Sequence, residues 1–126
     1  MLINFSNHPY ETWSEDMRRA AAKYGETVDF PFPQLEPDLS VDELRELVAT
    51  LAEKIEAMRP EAVFAAGEFT LLFMMVDKLL TDGLKVICSC SKRLTTETRL
   101  PNGANEKKSV FVFERFREYE YFKINF

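Results

Sequence analysis

Polar and cationic side chains occur at three points of the sequence where a strand is predicted to end. The first group contains a histidine, which can act as a general acid or base near neutral pH. The second offers helix amides that suit an anion, and the third combines hydroxyls with two cations that could clamp a phosphate. The candidate residues are Ser6, Asn7 and His8; Gly67, Glu68, Phe69 and Thr70; and Ser89, Ser91, Lys92 and Arg93.

The first two groups also have structural interpretations. His8 can be a turn histidine that bonds a neighbouring backbone group, and Asn7 can close an Asx turn. Gly67 can serve as a strand-to-helix turn, with Thr70 as a capping hydroxyl. Glu68 either completes the cap or repels phosphate, unless it faces ribose hydroxyls.

The third group also has a structural interpretation, because Lys92 and Arg93 can form a solvated strand end. Standard catalytic motifs are missing from the sequence, which has no G-x-S-x-G, no HExxH and no Cys/His pair at a recognisable spacing. Any catalysis must therefore rest on positioning and electrostatics. His8 and Arg93 are the candidate catalytic residues.

A strand–helix–strand unit is predicted to position the second and third groups. Ala62–Ala66 is a short apolar run typical of a buried strand. Phe69–Leu80 predicts a strongly apolar helix, and Leu84–Cys90 a second strand that runs parallel to the first. Ligands of open parallel sheets bind beyond the carboxyl ends of the strands. We call that edge of the sheet the rim.

The N-terminal half predicts two more strands and two helices. Met1–Phe5 and Thr27–Phe30 have strand patterns, and the first helix between them is capped by Thr12 or Ser14. The second helix begins at Ser40 with a capping box. If the first and third strands are neighbours, the switch point of the sheet lies between the first two groups of candidate residues.

A β-hairpin is predicted to follow. Arg93–Leu100 and Ser109–Phe116 flank a loop rich in turn residues. The aromatic tail, Glu118–Phe126, is expected to pack on the body or across a dimer interface. The whole chain, residues 1–126, is thus predicted to be one α/β domain, a three-layer Rossmann-like sandwich of order β-α-β-α-β-α-β with a mostly parallel sheet and a C-terminal antiparallel hairpin.

The composition of the chain limits the kinds of partner and ligand that we expect it to bind. The net charge of −5 argues against a broad grip on duplex DNA. The N-terminus lacks signal-peptide features and no apolar segment is long enough to span a bilayer, so we expect a cytoplasmic protein without membrane association. One histidine and two cysteines, Cys88 and Cys90, do not make a convincing zinc site, and neither a metal nor a cofactor is expected.

The segments INFSNHP, GEFT and CSCSKR resemble those of small standalone CRISPR-associated proteins of the Rossmann-like type, relatives of the CARF sensors and compact ring nucleases. The resemblance implies a homodimer whose two rims face each other across a two-fold axis. It also implies a shared pocket for cyclic oligoadenylate, the second messenger of type III CRISPR defence. Some members cleave this ring without a metal, as phosphodiesterases in which the ribose 2′-hydroxyl attacks the adjacent phosphate.

Carried over by position, the resemblance implies roles for all three groups. Ser6, Asn7 and His8 would contact a base or ribose. Gly67–Thr70 would hold phosphate, and Ser91, Lys92 and Arg93 would stabilise negative charge. The overall acidity and Glu68 depart from this pattern.

Two other functions are compatible with the residues. One is a non-enzymatic, small α/β regulatory or structural dimer with the aromatic tail as its interface, which is favoured if the rim loops are filled by their own side chains. The other is an enzyme on a nucleoside or nucleotide, with Glu68 acting on the ribose.

Overall fold

A five-stranded β-sheet lies at the centre of the structure, a computed structural model that describes residues 1–123. Four strands are parallel and the last is antiparallel to its neighbour. The strands are β1 (Leu2–Ser6), β2 (Thr27–Pro31), β3 (Ala62–Ala65), β4 (Val86–Arg99) and β5 (Asn105–Glu118), and the helices are α1 (Glu15–Ala21), α2 (Val41–Ala57) and α3 (Phe69–Thr81). The predicted α/β fold with a mostly parallel sheet and a C-terminal hairpin is confirmed.

The strands lie in the order β2-β1-β3-β4-β5. β1 and β3 are therefore neighbours, with Leu2 opposite Ala62 in a parallel register. Because the chain winds outward in opposite directions from these two strands, the switch point lies between their carboxyl ends. The loop after β1 and the turn before α3 thus flank the crevice where ligands of such sheets bind.

Local capping explains where the helices begin. Ser14 caps α1, since its side chain accepts a hydrogen bond from the Met17 amide. Ser40 and Glu43 form the predicted capping box, in which each side chain accepts from the other's backbone amide. Thr12 lies instead in a short 3-10 turn, Tyr10–Thr12. Helix α1 also continues as a 3-10 turn over Ala22–Tyr24.

Alternate residues of the strands face two separate apolar cores. Ile3, Val63 and Val86 pack with α2 and α3 on one side of the sheet. Leu2 and Ile87 pack with Trp13 and the α1 residue Ala21 on the other. We call these the α3 side and the α1 side. No helix within residues 1–123 combines the length and hydrophobicity that a bilayer crossing requires.

The predicted end of the fourth strand at Cys90 is wrong. β4 continues to Arg99, because its ladder with β5 runs on through a β-bulge between Cys90 and Ser91. Residues 91–113 form a two-stranded ribbon that extends beyond the other strands, and we call it the arm. Every residue in 91–112 except Leu100 is exposed, on both faces of the ribbon. Ser91, Lys92 and Arg93 therefore lie in a strand of the arm rather than in a loop at the rim.

Candidate functional site

The loop after β1 is held by its own side chains. Asn4 is completely buried. Its Nδ2 donates to the His8 carbonyl at 2.8 Å and to Asp29 Oδ1 at 2.8 Å. Its Oδ1 accepts a hydrogen bond from Ser6 Oγ at 2.6 Å. The Trp13 indole also donates to the His8 carbonyl, at 2.9 Å. One buried amide thus fixes the whole loop.

The network determines which groups of this loop can reach a ligand. Ser6 is buried, and its hydroxyl donates to Asn4 and accepts from the His8 amide at 3.2 Å. The predicted contact of Ser6 with a base or ribose would therefore have to break this pair of bonds. His8 and Asn7 are exposed at the end of the loop. His8 takes part in the network through its backbone only, which leaves its imidazole on the surface.

The turn before α3 is also self-satisfied. The Glu68 carboxylate caps the helix, accepting from the Thr70 amide at 3.0 Å and the Leu71 amide at 2.9 Å. The Thr70 hydroxyl donates to the same carboxylate. The Leu71 amide, followed by the Thr70 amide and hydroxyl, lowers the pKa of Glu68 below its ordinary value. The amides proposed for phosphate therefore already bind an anionic group of the chain itself.

Gly67 is required by packing inside the protein. A Cβ atom built at this position would lie 2.5–2.6 Å from ring carbons of Phe32. Phe32 is buried, and its ring packs on that of Phe5 at a centroid distance of 4.8 Å. The close approach that glycine permits here is to an aromatic ring of the core.

The third group is divided between the two sides of the sheet. Ile87 belongs to the α1-side core, and side chains alternate along a strand. Ser89, Ser91 and Arg93 therefore follow it on the α1 side, whereas Lys92 lies on the α3 side. A clamp of Lys92 and Arg93 on one phosphate is not favoured by this placement within a single chain.

An aromatic row accompanies the hydroxyls and the arginine on the α1 side. Phe116 lies opposite Ser89, and Phe113 lies opposite Ser91. The bulge inserts one extra residue in β5, so two phenylalanines three positions apart face the same side. Their ring centroids are 5.0 Å apart, and Phe116 is 6.2 Å from Trp13. We call Trp13, Phe116 and Phe113 the aromatic row.

The structure brings some candidate residues together and separates others. His8 and Ser89 line one depression of about 230 Å³ beside Trp13. Glu68 and Thr70 line a different depression of about 300 Å³, below the segment that precedes α2. Phe69 lies in a third place, a groove on the outer surface of α3. The candidate residues therefore do not form one site within a single chain.

A sequence profile described as the Uncharacterized protein MJ1673 family matches residues 1–117. The chain belongs to this family. The matched segment contains both rim loops, all three helices and the arm. No curated protein matches the sequence.

Metal binding and thiol chemistry depend on how the titratable groups of this family member are arranged. Within residues 1–123, no group of three or more His, Cys, Asp or Glu side chains is arranged to hold a metal ion. Both cysteines are free thiols. Burial, followed by the neighbouring Cys90, raises the pKa of the Cys88 thiol, which favours the unreactive neutral form.

Two features of the rim and arm of this family member were not predicted from its sequence. Asn4 and Asp29 organise the first loop, and their signal was a pair of polar residues inside apolar strands. The sequence predicts Phe113 and Phe116 only as residues of a hairpin strand. Their common side depends on the bulge, which the sequence does not mark with a glycine.

Proposed function

We propose that the α1 side of the rim and arm binds a cyclic oligoadenylate. The observation that carries this proposal is the alignment of Ser89, Ser91 and Arg93 with the aromatic row. Aromatic rings stack on nucleobases, and each stacked base contributes about 1–3 kcal/mol to the free energy of binding. An arginine can hold a phosphate through two parallel hydrogen bonds. This face therefore offers both kinds of group that a short oligonucleotide needs, despite the acidity of the whole chain.

Cleavage of the bound ring is the second part of the proposal. His8 lies at the edge of the depression that also contains Ser89. With a ribose above it, the imidazole can accept the proton of the 2′-hydroxyl as the 2′-oxygen attacks phosphorus. The bond between phosphorus and the 5′-oxygen then breaks, and the 5′-oxygen takes up a proton from water. The products are a 2′,3′-cyclic phosphate and a 5′-hydroxyl. Arg93 would stabilise the charge that develops on the phosphoryl oxygens.

The test measures binding and turnover separately. Cyclic tetra-adenylate and cyclic hexa-adenylate are titrated into the full chain in EDTA by calorimetry, and the products are separated by chromatography. Arg93→Ala and Phe113→Ala should each weaken binding about tenfold or more, the effect of losing one stacked base or one charge-assisted bond. His8→Ala should abolish turnover while binding remains.

Lys54→Ala is the matched control for charge, because this exposed lysine lies on α2, on the opposite side of the sheet. It should bind like the wild type. The absence of binding for every cyclic oligonucleotide tested would refute the proposal. Cleavage that persists in His8→Ala would refute the role of the histidine and leave the binding face intact.

A non-enzymatic regulatory or structural role is the second candidate, favoured by the self-satisfied rim loops. Ser6 and Glu68 already bond to their own chain. In the third hypothesis Glu68 acts on a ribose, and it would first have to leave the α3 amides. Glu68→Ala distinguishes these functions. It should abolish turnover of a nucleoside or nucleotide if Glu68 acts on the ribose, and it should leave a non-enzymatic protein without nucleotide affinity.

A further inference from the structure

Helix α3 carries an apolar stripe on its outer surface. Phe69 is 86% exposed and Phe73 is 77% exposed. Leu72, Val76 and Leu80 continue the stripe at helical spacing and are half-buried. Isolated apolar residues on a surface need no explanation, but a contiguous patch of this kind marks an interaction site.

The C-terminal segment turns this stripe into a groove. The Tyr121 hydroxyl lies 2.6 Å from Thr81 Oγ1 and donates to the Asp77 carbonyl at 3.1 Å, so the segment is tied along the helix. The groove has a volume of about 600 Å³. Its lining includes two acidic residues, Asp77 and Glu120, and no basic side chain from the described residues. Phe126, part of the predicted aromatic tail, lies outside the described residues.

The α3 side of the arm carries exposed apolar residues between basic ones, which complements the apolar, acidic groove. Leu94, Val110 and Val112 are 42%, 55% and 39% exposed. They share one side, because Leu94 lies opposite Val110, and Val112 lies two residues further along β5. We call them the arm strip. Lys92 lies opposite Val112 at one end of the strip, and Lys108, two residues before Val110 in β5, lies opposite Thr96 at the other.

We propose that two copies of the chain associate with the arm strip of each copy packed in the α3 groove of the other. The strip is apolar between two lysines, and the groove is apolar beside two carboxylates, so the polarity and charge of the two surfaces complement each other. The lengths also agree. The stripe from Phe69 to Leu80 is about 17 Å long at 1.5 Å per residue. The arm strip with its flanking lysines, from the Lys92–Val112 pair to the Thr96–Lys108 pair, is about 13 Å long at 3.3 Å per residue.

A second copy is the occupant that the structure favours, because both halves of the contact are present on one chain. A two-fold axis would form the same contact twice and bury the patch on both copies. An isolated two-stranded ribbon is marginally stable in water, so the arm gains the support that its own chain does not provide. The contact leaves the α1 side of the arm open. It therefore does not depend on nucleotide binding.

Sedimentation velocity of the full chain without ligand tests this association. The wild type should be a dimer at micromolar concentration. Phe73→Glu in the groove and Val110→Glu in the strip should each raise the dissociation constant about 30-fold or more, as expected for central apolar contacts. Val41→Glu is the matched control, since Val41 is 58% exposed at the start of α2 and lies outside both surfaces. It should remain dimeric.

Charge-reversal variants test whether the arm strip of one copy contacts the α3 groove of the other. Asp77→Lys and Lys108→Asp should each weaken the dimer, and the double variant should recover most of the loss. A monomeric wild type would overturn the proposal. A dimer that Phe73→Glu disrupts and Val110→Glu does not would also overturn it, because that result means that the grooves pack on each other. Nucleotide binding by a monomer would leave the proposed function standing.

Discussion

The end of β1 with the loop that follows it and the arm formed by β4 and β5 lie at the same edge of the sheet, but they satisfy their side chains in opposite ways. In the first region, Asn4 and Ser6 of β1 are buried and bonded to each other, to the loop and to β2. In the arm, Leu94 and Phe111 stand in solvent, the latter 72% exposed. The loop is complete in one chain, whereas the arm requires something to cover it.

This difference indicates where binding capacity lies. A surface whose donors and acceptors are already paired gains little from a ligand, because each new bond replaces an existing one. An exposed apolar or cationic side chain gains by every contact that removes it from water. We therefore expect the arm to carry the interactions of this protein, while the loop gives the rim a fixed shape.

Paired leucine truncations should show the largest contrast. Leu71 is fully buried in the α3-side core, so Leu71→Ala should lower the free energy of unfolding by about 2–5 kcal/mol through lost burial and the cavity left behind. Leu94→Ala in the arm should cost less than about 0.5 kcal/mol. Urea unfolding of each variant measures both values.

The control for the leucine pair must remove association, because in a dimer the effect of Leu94→Ala on stability would include lost contacts between the two copies. The comparison holds for the chain by itself when the measurements are made in the monomeric Phe73→Glu background. An equal loss for both variants in that background would show that the arm is packed within its own chain.

Removal of the buried amide should give the next largest effect. Asn4→Ala removes the acceptor to which the buried Ser6 hydroxyl donates. It also removes one of the donors to Asp29 Oδ1, which keeps the Tyr10 amide, and one of the donors to the His8 carbonyl. We expect a loss of about 1–3 kcal/mol, the usual cost of an unpaired buried polar group. Asn105→Ala in the exposed arm is the matched control and should be neutral. Thermal unfolding monitored by circular dichroism measures the difference.

Much of the fold could be predicted because local signals and the hydrophobic pattern agree. Apolar runs marked β1 and β3 as central strands, and Ser40 with Glu43 marked the start of α2. The end of β4 was wrong for a physical reason. In a ribbon with both faces in solvent, alternation is lost, so Ser91, Lys92 and Arg93 have the composition of a loop.

The candidate site was less predictable than the fold. Glu68 has the same sequence signal whether it caps α3 or faces a ligand, and only the distances to the Thr70 and Leu71 amides distinguish the two. Lys92 and Arg93 lie on opposite sides of the sheet because side chains alternate along a strand. A segment that is predicted to be a loop gives no such alternation. Phe113 and Phe116 meet because of a bulge whose position depends on pairing with a distant segment.

The cap of α3 should give a smaller, pH-dependent effect. Hydrogen bonds from the Leu71 and Thr70 amides lower the pKa of Glu68 from its ordinary value of 4.5. Glu68 therefore contributes stability that is present above pH 4.5 and is lost as the pH falls through the lowered pKa. Glu68→Gln should be less stable than the wild type near neutral pH, and the two should converge in acid. Urea midpoints between pH 2 and pH 7 test this. Glu61→Gln, at an exposed position, should show no such convergence.

The smallest effect is expected at the one buried side-chain polar atom within residues 1–123 that has no hydrogen-bond partner. Glu56 Oε1 on α2 is buried and has no hydrogen-bond partner among the described residues. Its carboxyl group faces Asp82, which forms an ion pair with Lys78 at 2.8 Å, and Glu53 lies nearby. The hydrogen bond that protonated Glu56 gives to Asp82, followed by burial, raises the pKa of Glu56 above 4.5, whereas Lys78 opposes the shift.

Because this pKa is raised in the folded state, the contribution of Glu56 is fully present below pH 4.5 and is lost as the pH rises through the raised value. Glu56→Gln keeps the shape and supplies an amide donor to Asp82 at every pH. The variant should therefore be slightly more stable than the wild type at pH 8, with a gain that shrinks as the pH falls. Glu46→Gln, on the exposed face of α2, should be neutral throughout. A gain that grows toward low pH would show that Glu56 is ionised and stabilised by Lys78, and that the body, like the loop, leaves no polar group unpaired.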